Sequence, residues 1–340
     1  MKVVSVIVPC RNERAHIATF CDGVGAQALP GGWELEVLIA DGMSDDGTRE
    51  QLQALCATDA RLRMLDNPQR IVSTGLNRAI AAARGEVIVR MDVHTTYASD
   101  YVAQCLAALQ STGASCVGGA WRPVGEGWPT AAIVRAFASR FGSGGAASRQ
   151  VDHSGPVDTV YLGAWRRDEL QRLGGFDEAL VRNQDDELNL RIVRGGGTVW
   201  QSAAIRSWYT PRASFAALFR QFFQYGYWKV PVIRKHRLPA SPRHLAPFAF
   251  VLLLALLALA APWLAPAAWA LAGLVTLYAA AALGNAALLA TPPRQPRDTL
   301  GIAWSFACMH VGYGLGFARG LLDVLVLRRG PGAAVTRLTR

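Results

Sequence analysis

Asp185, Asp186 and Glu187 stand side by side in "RNQDDELNLR" (182–191), in a chain whose formal net charge is +10. Adjacent carboxylates repel one another, so such a run is either well solvated or held for a purpose. Leu188, Leu190 and Ile192, followed by the triple glycine at 195–197, predict a helix that opens at these acids. Successive helical residues diverge by about 100°. One acid can therefore face a cleft while the others cap the helix or meet Arg191. A carboxylate in the first helical turn is kept ionised by the helix dipole, which suits a general base acting on an alcohol. Asp185 and Asp186 are the candidates.

A second grouping is "RMDVH" (90–94). Asp92 and His94 flank one residue at a strand end, so both side chains can point to the same side and hold a divalent cation against a diphosphate. Oxygen ligands favour Mg2+, and the imidazole makes Mn2+ more competitive. The same pentapeptide also reads as a strand-end Asp capping the next turn beside a solvated His. Asp41 poses a similar choice before "GMSDDGT". A strand-end carboxylate there can accept hydrogen bonds from a nucleobase or ribose, whereas Asx-rich loops with glycine usually just make turns. Asp45 and Asp46 are expected to cap a helix beginning at Thr48.

Such residues need a frame. Short β-branched runs at 3–9, 34–41, 61–67 and 86–92 alternate with helical patterns, the signature of parallel strands joined by crossover helices. Ser73 or Thr74 is expected to cap "TGLNRAIAAARG", and Ser99 to cap "SDYVAQCLAALQ". In open sheets of this kind ligands bind beyond the carboxyl ends of the strands. "PCRNE", "DGMSDDGT" and "DVH" would gather at that rim. No G-x-G-x-x-G follows the first strand and no phosphate-binding G-x-x-x-x-G-K-S/T occurs, which disfavours a dinucleotide fold and a P-loop.

The last third of the 340 residues is of another kind. No charged residue occurs from Leu245 to Ala290, and a further apolar block runs from Leu300 to Ala318. A helix needs about 20 apolar residues to cross a bilayer. We expect a catalytic domain over 1–240, with interfacial helices in the aromatic and basic segment 211–243, and a membrane domain over 245–327 with segments 245–264, 267–290 and 300–327. Pro262 and Pro266 would make a hairpin between the first two. His310 and Arg319 among small residues suggest that the third is a bent or re-entrant helix packed against protein and not a lipid-facing rod, leaving the C-terminus cytoplasmic. Arg234, Lys235, Arg237, Arg243, Arg294, Arg297, Arg328 and Arg329 flank these segments, as the positive-inside rule and anionic lipids would ask. No nucleic-acid module is recognisable. The N-terminal apolar stretch is too short for a signal peptide, so residues 1–240 are expected in the cytoplasm. The six cysteines show no metal or C-x-x-C spacing and read as reduced and mostly buried. The glycine-rich stretch 142–155 is either a mobile flap or a plain loop.

"VSVIVPCRNE", "IADGMSDDGT", "STGLNRAIAAARGEVIVRMDVH", "GGFDE" (174–178) and "NQDDELNLR", in this order, resemble glycosyltransferase family 2. "TVYLGAWRRDEL" and "YTPRASFAALFRQFFQYGYWK" further resemble the succinoglycan-type glucosyltransferases of bacterial exopolysaccharide assembly. The resemblance implies an α/β GT-A fold, a nucleotide diphosphate sugar donor, UDP-glucose on the narrower match, a divalent metal, Mn2+ or Mg2+, and inversion by single displacement. Carried over by motif, it implies donor contacts at Pro9, Arg11, Asn12, Glu13, Asp41 and Asp92, a metal at Asp92 and His94, and the base at Asp185, whose spacing to Arg191 matches the family's. Three positions depart from the pattern. Arg11 replaces an aromatic and would stack on the base by its guanidinium, His94 replaces an acid, and Gln184 replaces an acid before Asp185, which should ease that residue's ionisation. Together with the order of the segments, this implies a polyprenyl-diphosphate-linked saccharide as acceptor at the cytoplasmic face of a bacterial inner membrane. A processive polysaccharide synthase would carry a Q-x-x-R-W motif, which Gln221 does not begin. Transfer to a bare polyprenyl phosphate stays open, and an inactive membrane scaffold would lack Asp41, Asp92 or Asp185.

Overall fold

The structure, a computed structural model, describes residues 1–239, 241–291 and 295–336. Arg294, Arg337 and Arg340 lie outside the described residues. Contacts divide the chain into two compact units, Met1–Arg122 with Ala147–Thr210, and Pro123–Ala146 with the chain from Pro211 onward.

The first unit alternates strands and helices through β1 (Lys2–Cys10), α1 (Ile17–Gly25), β2 (Trp33–Asp41), α2 (Thr48–Thr58), β3 (Leu62–Asp66), α3 (Val72–Ala82) and β4 (Val87–Arg90). β5 (Thr95–Tyr97), α4 (Tyr101–Thr112), β6 (Cys116–Gly119) and β7 (Trp121–Pro123) follow. After an excursion into the second unit come β8 (Gly155–Pro156), β9 (Tyr161–Arg166), α7 (Arg167–Arg172), α8 (Gln184–Arg194), β10 (Val199–Gln201) and β11 (Ser207–Tyr209). The main sheet has the order β3-β2-β1-β4-β9-β6-β10-β8, and a smaller sheet the order β5-β11-β7. β1 pairs in parallel with both β2 and β4 and so lies inside the sheet, and because apolar side chains cover both of its faces its sequence is a near-continuous Val and Ile run. β9 runs antiparallel to both β4 and β6. Val4, Val6 and Val8 pack on one face with Phe20, Leu52 and Val102. Ile7, Leu38 and Ile88 pack on the other with Leu76, Phe176 and Leu188.

The four expected strands are present within two residues of their expected ends. The expected caps are not. α3 starts at Val72, which puts Ser73 and Thr74 inside its first turn. There Ser73 Oγ donates to Leu180 O and Thr74 Oγ1 to Asn67 Oδ1, both at 2.8 Å, so tertiary partners take the hydroxyls. Asp100, not Ser99, precedes α4. Asp46 does accept from Thr48 N at 3.1 Å, while Asp45 accepts from Asn12 instead. The stretch 142–155 holds a turn of helix and a 3-10 turn, and its second half is tied by Gln201 Nε2 donating to Gln150 O at 2.7 Å and Arg122 Nη2 donating to Val151 O at 3.0 Å. All six cysteines are free, and only Cys56 is not buried.

The second unit comprises α5 (Thr130–Ala138), α6 (Arg140–Ser143), α9 (Phe215–His236), α10 (Ala246–Ala260), α11 (Ala265–Leu289), α12 (Pro296–Leu321) and α13 (Ala333–Thr336). Among the described residues, three helices, spanning Pro242–Ala260, Ala265–Leu289 and Pro296–Val326, are long and apolar enough to cross a membrane. Pro266 opens α11, next to the expected turn. The third span is one continuous helix ending in a π-helical turn, Leu322–Val326, and it is packed against protein as expected. Its small residues serve that packing. α12 packs against α5, α9, α10 and α11, and 56% of its most apolar stretch is buried, against 6% of the corresponding stretch in each of the other two. A Cβ added at Gly312, Gly316 or Gly320 would run into the carbonyl oxygen of Phe219, Phe223 or Tyr227 on α9, and one at Gly226 into Tyr313 O on α12. Glycine repeating every fourth residue thus lets the two backbones touch, which is how helices associate where lipid supplies no hydrophobic drive.

Candidate active site

The carboxyl ends of β1, β2 and β4 share a rim because Cys10 lies beside Asp41 and Ile7 beside Arg90 in the ladder. The loop after β1 turns sharply at Asn12, whose φ is +55°. Asn12 N donates to Ser44 Oγ at 2.8 Å, and its side-chain amide exchanges hydrogen bonds with Asp45 at 2.9 and 3.1 Å. Glu13 is buried; its amide donates to Thr48 Oγ1 at 2.8 Å, and its carboxylate lies 3.7 Å from His94 Nδ1. Pro9 and Arg11 are half-buried at the same edge.

Asp41 is fully buried. It accepts from Ser44 N at 3.1 Å and pairs with Arg49 at 2.6 Å, and Arg49 also reaches Asp66 at 2.8 Å. Its present partners therefore organise the 42–47 loop. A donor contact at Asp41 would have to displace one of them.

The acids that open α8 go three ways. Glu187 is buried and pairs with Arg191 at 2.8 Å. Arg191 in turn donates to Leu173 O and Gly175 O, while Asn77 Nδ2 and Oδ1 bind Phe176 O and N at 2.9 and 2.8 Å. Arg191 and Asn77 thus clamp the "GGFDE" loop from two elements. Asp186 is half-buried. Asp185 pairs with Arg90.

Arg90 is the residue that sequence reasoning passed over. It is 4% exposed, and its Nε and Nη2 donate to the two oxygens of Asp92 at 3.0 and 3.1 Å while Nη1 donates to Asp185. One guanidinium therefore joins the acid just past β4 to the first turn of α8, with Arg90 and Asp185 95 positions apart. Its planar fork of five donors suits a two-carboxylate bridge that Lys could not make. The only signal in the sequence was a charged residue inside the apolar run "EVIVRMD". Tyr97 was also missed; its hydroxyl accepts from Asp92 N at 2.6 Å and fixes the turn, and Tyr161 hydrogen-bonds Thr95 at 2.9 Å beside it.

The electrostatics correct one expectation. Burial outweighs what the helix dipole and Gln184 were expected to do for Asp185. Burial, helped by the nearby charges of Asp92 and Asp186 and opposed by Arg90, pushes its pKa up to about 6. Burial raises Tyr97 and Tyr161 as well, with Asp92 adding to it, so both stay neutral hydrogen-bonding groups. Asp92 and His94 lie in the turn between β4 and β5, with side chains 17% and 46% exposed. Among the described residues no three His, Cys, Asp or Glu side chains converge as a cage for a metal. One carboxylate and one imidazole fit an ion whose remaining ligands are waters and a substrate's phosphates.

A family model described as Glycosyl transferase family 2 matches residues 5–173. The chain is 34% identical over 325 residues, 94% of each chain, to the succinoglycan biosynthesis protein ExoA of Rhizobium meliloti. It is 25% identical to a dolichyl N-acetyl-alpha-D-glucosaminyl phosphate 3-beta-D-2,3-diacetamido-2,3-dideoxy-beta-D-glucuronosyltransferase of Methanococcus voltae, covering 69% of this chain and 75% of that one. The mannosyltransferase PcManGT of Pyrobaculum calidifontis, solved with GDP-Man and Mn2+, superposes with a TM-score of 0.61 at 22% identity, covering 91% of this chain and 86% of that one. The fold is thus GT-A with a C-terminal set of apolar helices, and by the family match and the full-length identity the chain belongs to glycosyltransferase family 2.

Proposed function

We propose that the chain transfers glucose from UDP-glucose to a hydroxyl of a polyprenyl-diphosphate-linked saccharide, with inversion, at the cytoplasmic face of a bacterial inner membrane, in assembly of a succinoglycan-like exopolysaccharide. The observation that carries the chemistry is the Arg90 bridge, which brings Asp185 to the same rim as Asp92. Asp185 takes the acceptor hydroxyl's proton as that oxygen attacks the anomeric carbon, and the bond from that carbon to the diphosphate breaks, releasing UDP. A lone raised carboxylate near pH 6 is matched to proton abstraction near neutrality. Pro9, Arg11, Asn12, Glu13 and Asp41 line the donor side, Asp41 exchanging a present partner for the base or ribose. Asp92 and His94 would hold the divalent ion, which neutralises charge on the diphosphate. The identity to ExoA supports the glycan assignment, and the three apolar spans support the membrane one. The test is a screen of nucleotide sugars with a polyprenyl-diphosphate saccharide in Mn2+, reading product and anomeric configuration; transfer from another donor alone, or with retention, would remove the assignment.

Chelation should abolish turnover, and Mn2+ should restore it at least as well as Mg2+, since imidazole is among the ligands. His94→Asp should shift the preference toward Mg2+. Full activity in excess chelator would sink the metal reading.

The pH profile tests the base. The active form is the carboxylate, so kcat/KM should fall as pH drops through about 6. Arg90 opposes the rise, so Arg90→Met should move that limb to higher pH as well as slow the reaction. A limb that stays in place would separate it from Asp185.

A further inference from the structure

The second unit is charged on one side of the balance. From Pro211 onward the chain has 14 arginines and lysines against two acids, Asp298 and Asp323. Asp323 is 3% exposed, in the π-helical turn Leu322–Val326 after α12. Three arginines from three stretches of chain converge there. Arg319 Nε donates to Asp323 Oδ2 at 2.9 Å, Arg329 Nε and Nη2 reach Oδ1 at 2.8 and 2.7 Å, and Arg234 Nη1 donates to Val324 O at 3.3 Å. One carboxylate cannot neutralise three guanidiniums, so the cluster keeps a surplus of positive charge. The side chains of Arg319 and Arg329 are still 47% and 49% exposed. Asp323 therefore holds one edge of each fork while the rest faces outward, oriented in advance for an oxyanion.

The neighbouring surface says what kind of oxyanion. Leu322, Leu325, Val326 and Leu327 are exposed by 41, 53, 69 and 47%. A soluble anion has no use for leucines beside its site. An amphiphile uses both, the phosphate on the arginines and the chains on the leucines.

We propose that Arg234, Arg319 and Arg329, positioned by Asp323, bind the phosphate of an anionic membrane phospholipid whose acyl chains lie on Leu322, Leu325 and Val326. The proposal rests on the reading that the apolar spans lie in a membrane. The full-length protein in neutral detergent is titrated with phosphatidylglycerol or phosphatidylcholine while its unfolding temperature is followed. Phosphatidylglycerol should raise that temperature and phosphatidylcholine should not. The triple variant Arg319→Gln/Asp323→Asn/Arg329→Gln, which neutralises the buried acid together with its partners, should weaken the phosphatidylglycerol midpoint about tenfold or more, about the loss of one charge-assisted contact. Arg319→Lys/Arg329→Lys keeps the charge, loses the fork and should also weaken it, which serves if the triple variant fails to fold. Arg237→Gln/Arg297→Gln removes two charges elsewhere and should leave it alone. Equal weakening in that control would mean diffuse charge only, and an equal rise with glycerol phosphate would mean a free-phosphate site. An unchanged midpoint in the lysine variant, or no phosphatidylglycerol effect in the parent protein, also overturns the proposal. Extraction of the whole protein by carbonate washing overturns the membrane reading instead.

Discussion

Asp185→Asn should leave the fold and donor affinity intact while turnover falls by about 10²-fold or more, the range for removing a general base. The amide is isosteric and cannot take the acceptor's proton. It also leaves the buried cation paired, because Asp92 still meets Arg90 through both oxygens, so the loss should appear in kcat and not in thermal unfolding. Asp186→Asn should do much less, since Asp185 and not Asp186 is the acid that Arg90 ties to the strand end. Steady-state kinetics on both variants decides it, and near-normal turnover in the first would sink the assignment.

Gly316→Ala should cost the folded protein outright. The added Cβ would sit far inside contact with Phe223 O and Phe223 C on α9. That neighbour is backbone and cannot swing away. Nor can α12 retreat freely, because Gly314 also lies against the backbone of α10 at Pro247 O. Overpacking a well-filled interior costs about 1–3 kcal/mol where side chains can adjust, and more is expected where two backbones must part. Gly284→Ala is the matched control in α11, with nothing within 4 Å of the new atom, and should be neutral or slightly stabilising from the gain in helix propensity. The monodisperse fraction on size exclusion in detergent separates the outcomes. A well-behaved Gly316→Ala protein would show that the helices are not in backbone contact.

The part of the fold that sequence reasoning reached is the part governed by local pattern. β1, β2 and β4 are apolar runs ending in polar clusters, and the ladder brings those ends together. Glu187 and Arg191 are one helical turn apart, so their pairing could be read from spacing. What escaped was set by partners distant in the chain. Arg90 has its meaning from Asp185, and Asp41 is buried because Arg49 and Ser44 close over it. The strands β6, β8 and β10 are two to four residues long, too short to carry a period, and only pairing makes them strands. Ser73 looked like a cap because its tertiary acceptor, Leu180 O, is not local information. The small residues of the third span read as a helix packed against protein, but only α9 across the interface shows which backbone its glycines make room for.

The central position of α12 bears on how the chain is made. α5 buries Ile133, Ala136 and Phe137 and packs against α12, where Gly301 leaves room for Trp128 and Ala132. About 160 residues separate the end of α5 from the start of α12. At roughly 5–20 residues per second, α5 must wait on the order of ten to thirty seconds at the ribosome before the helix that completes its burial has been synthesised. The first unit can close meanwhile, since its last strand ends at Tyr209. The apolar face of α5 must be sheltered through that interval by the bilayer surface or a chaperone, which makes the order of synthesis, and not only the final packing, a point at which this protein can fail.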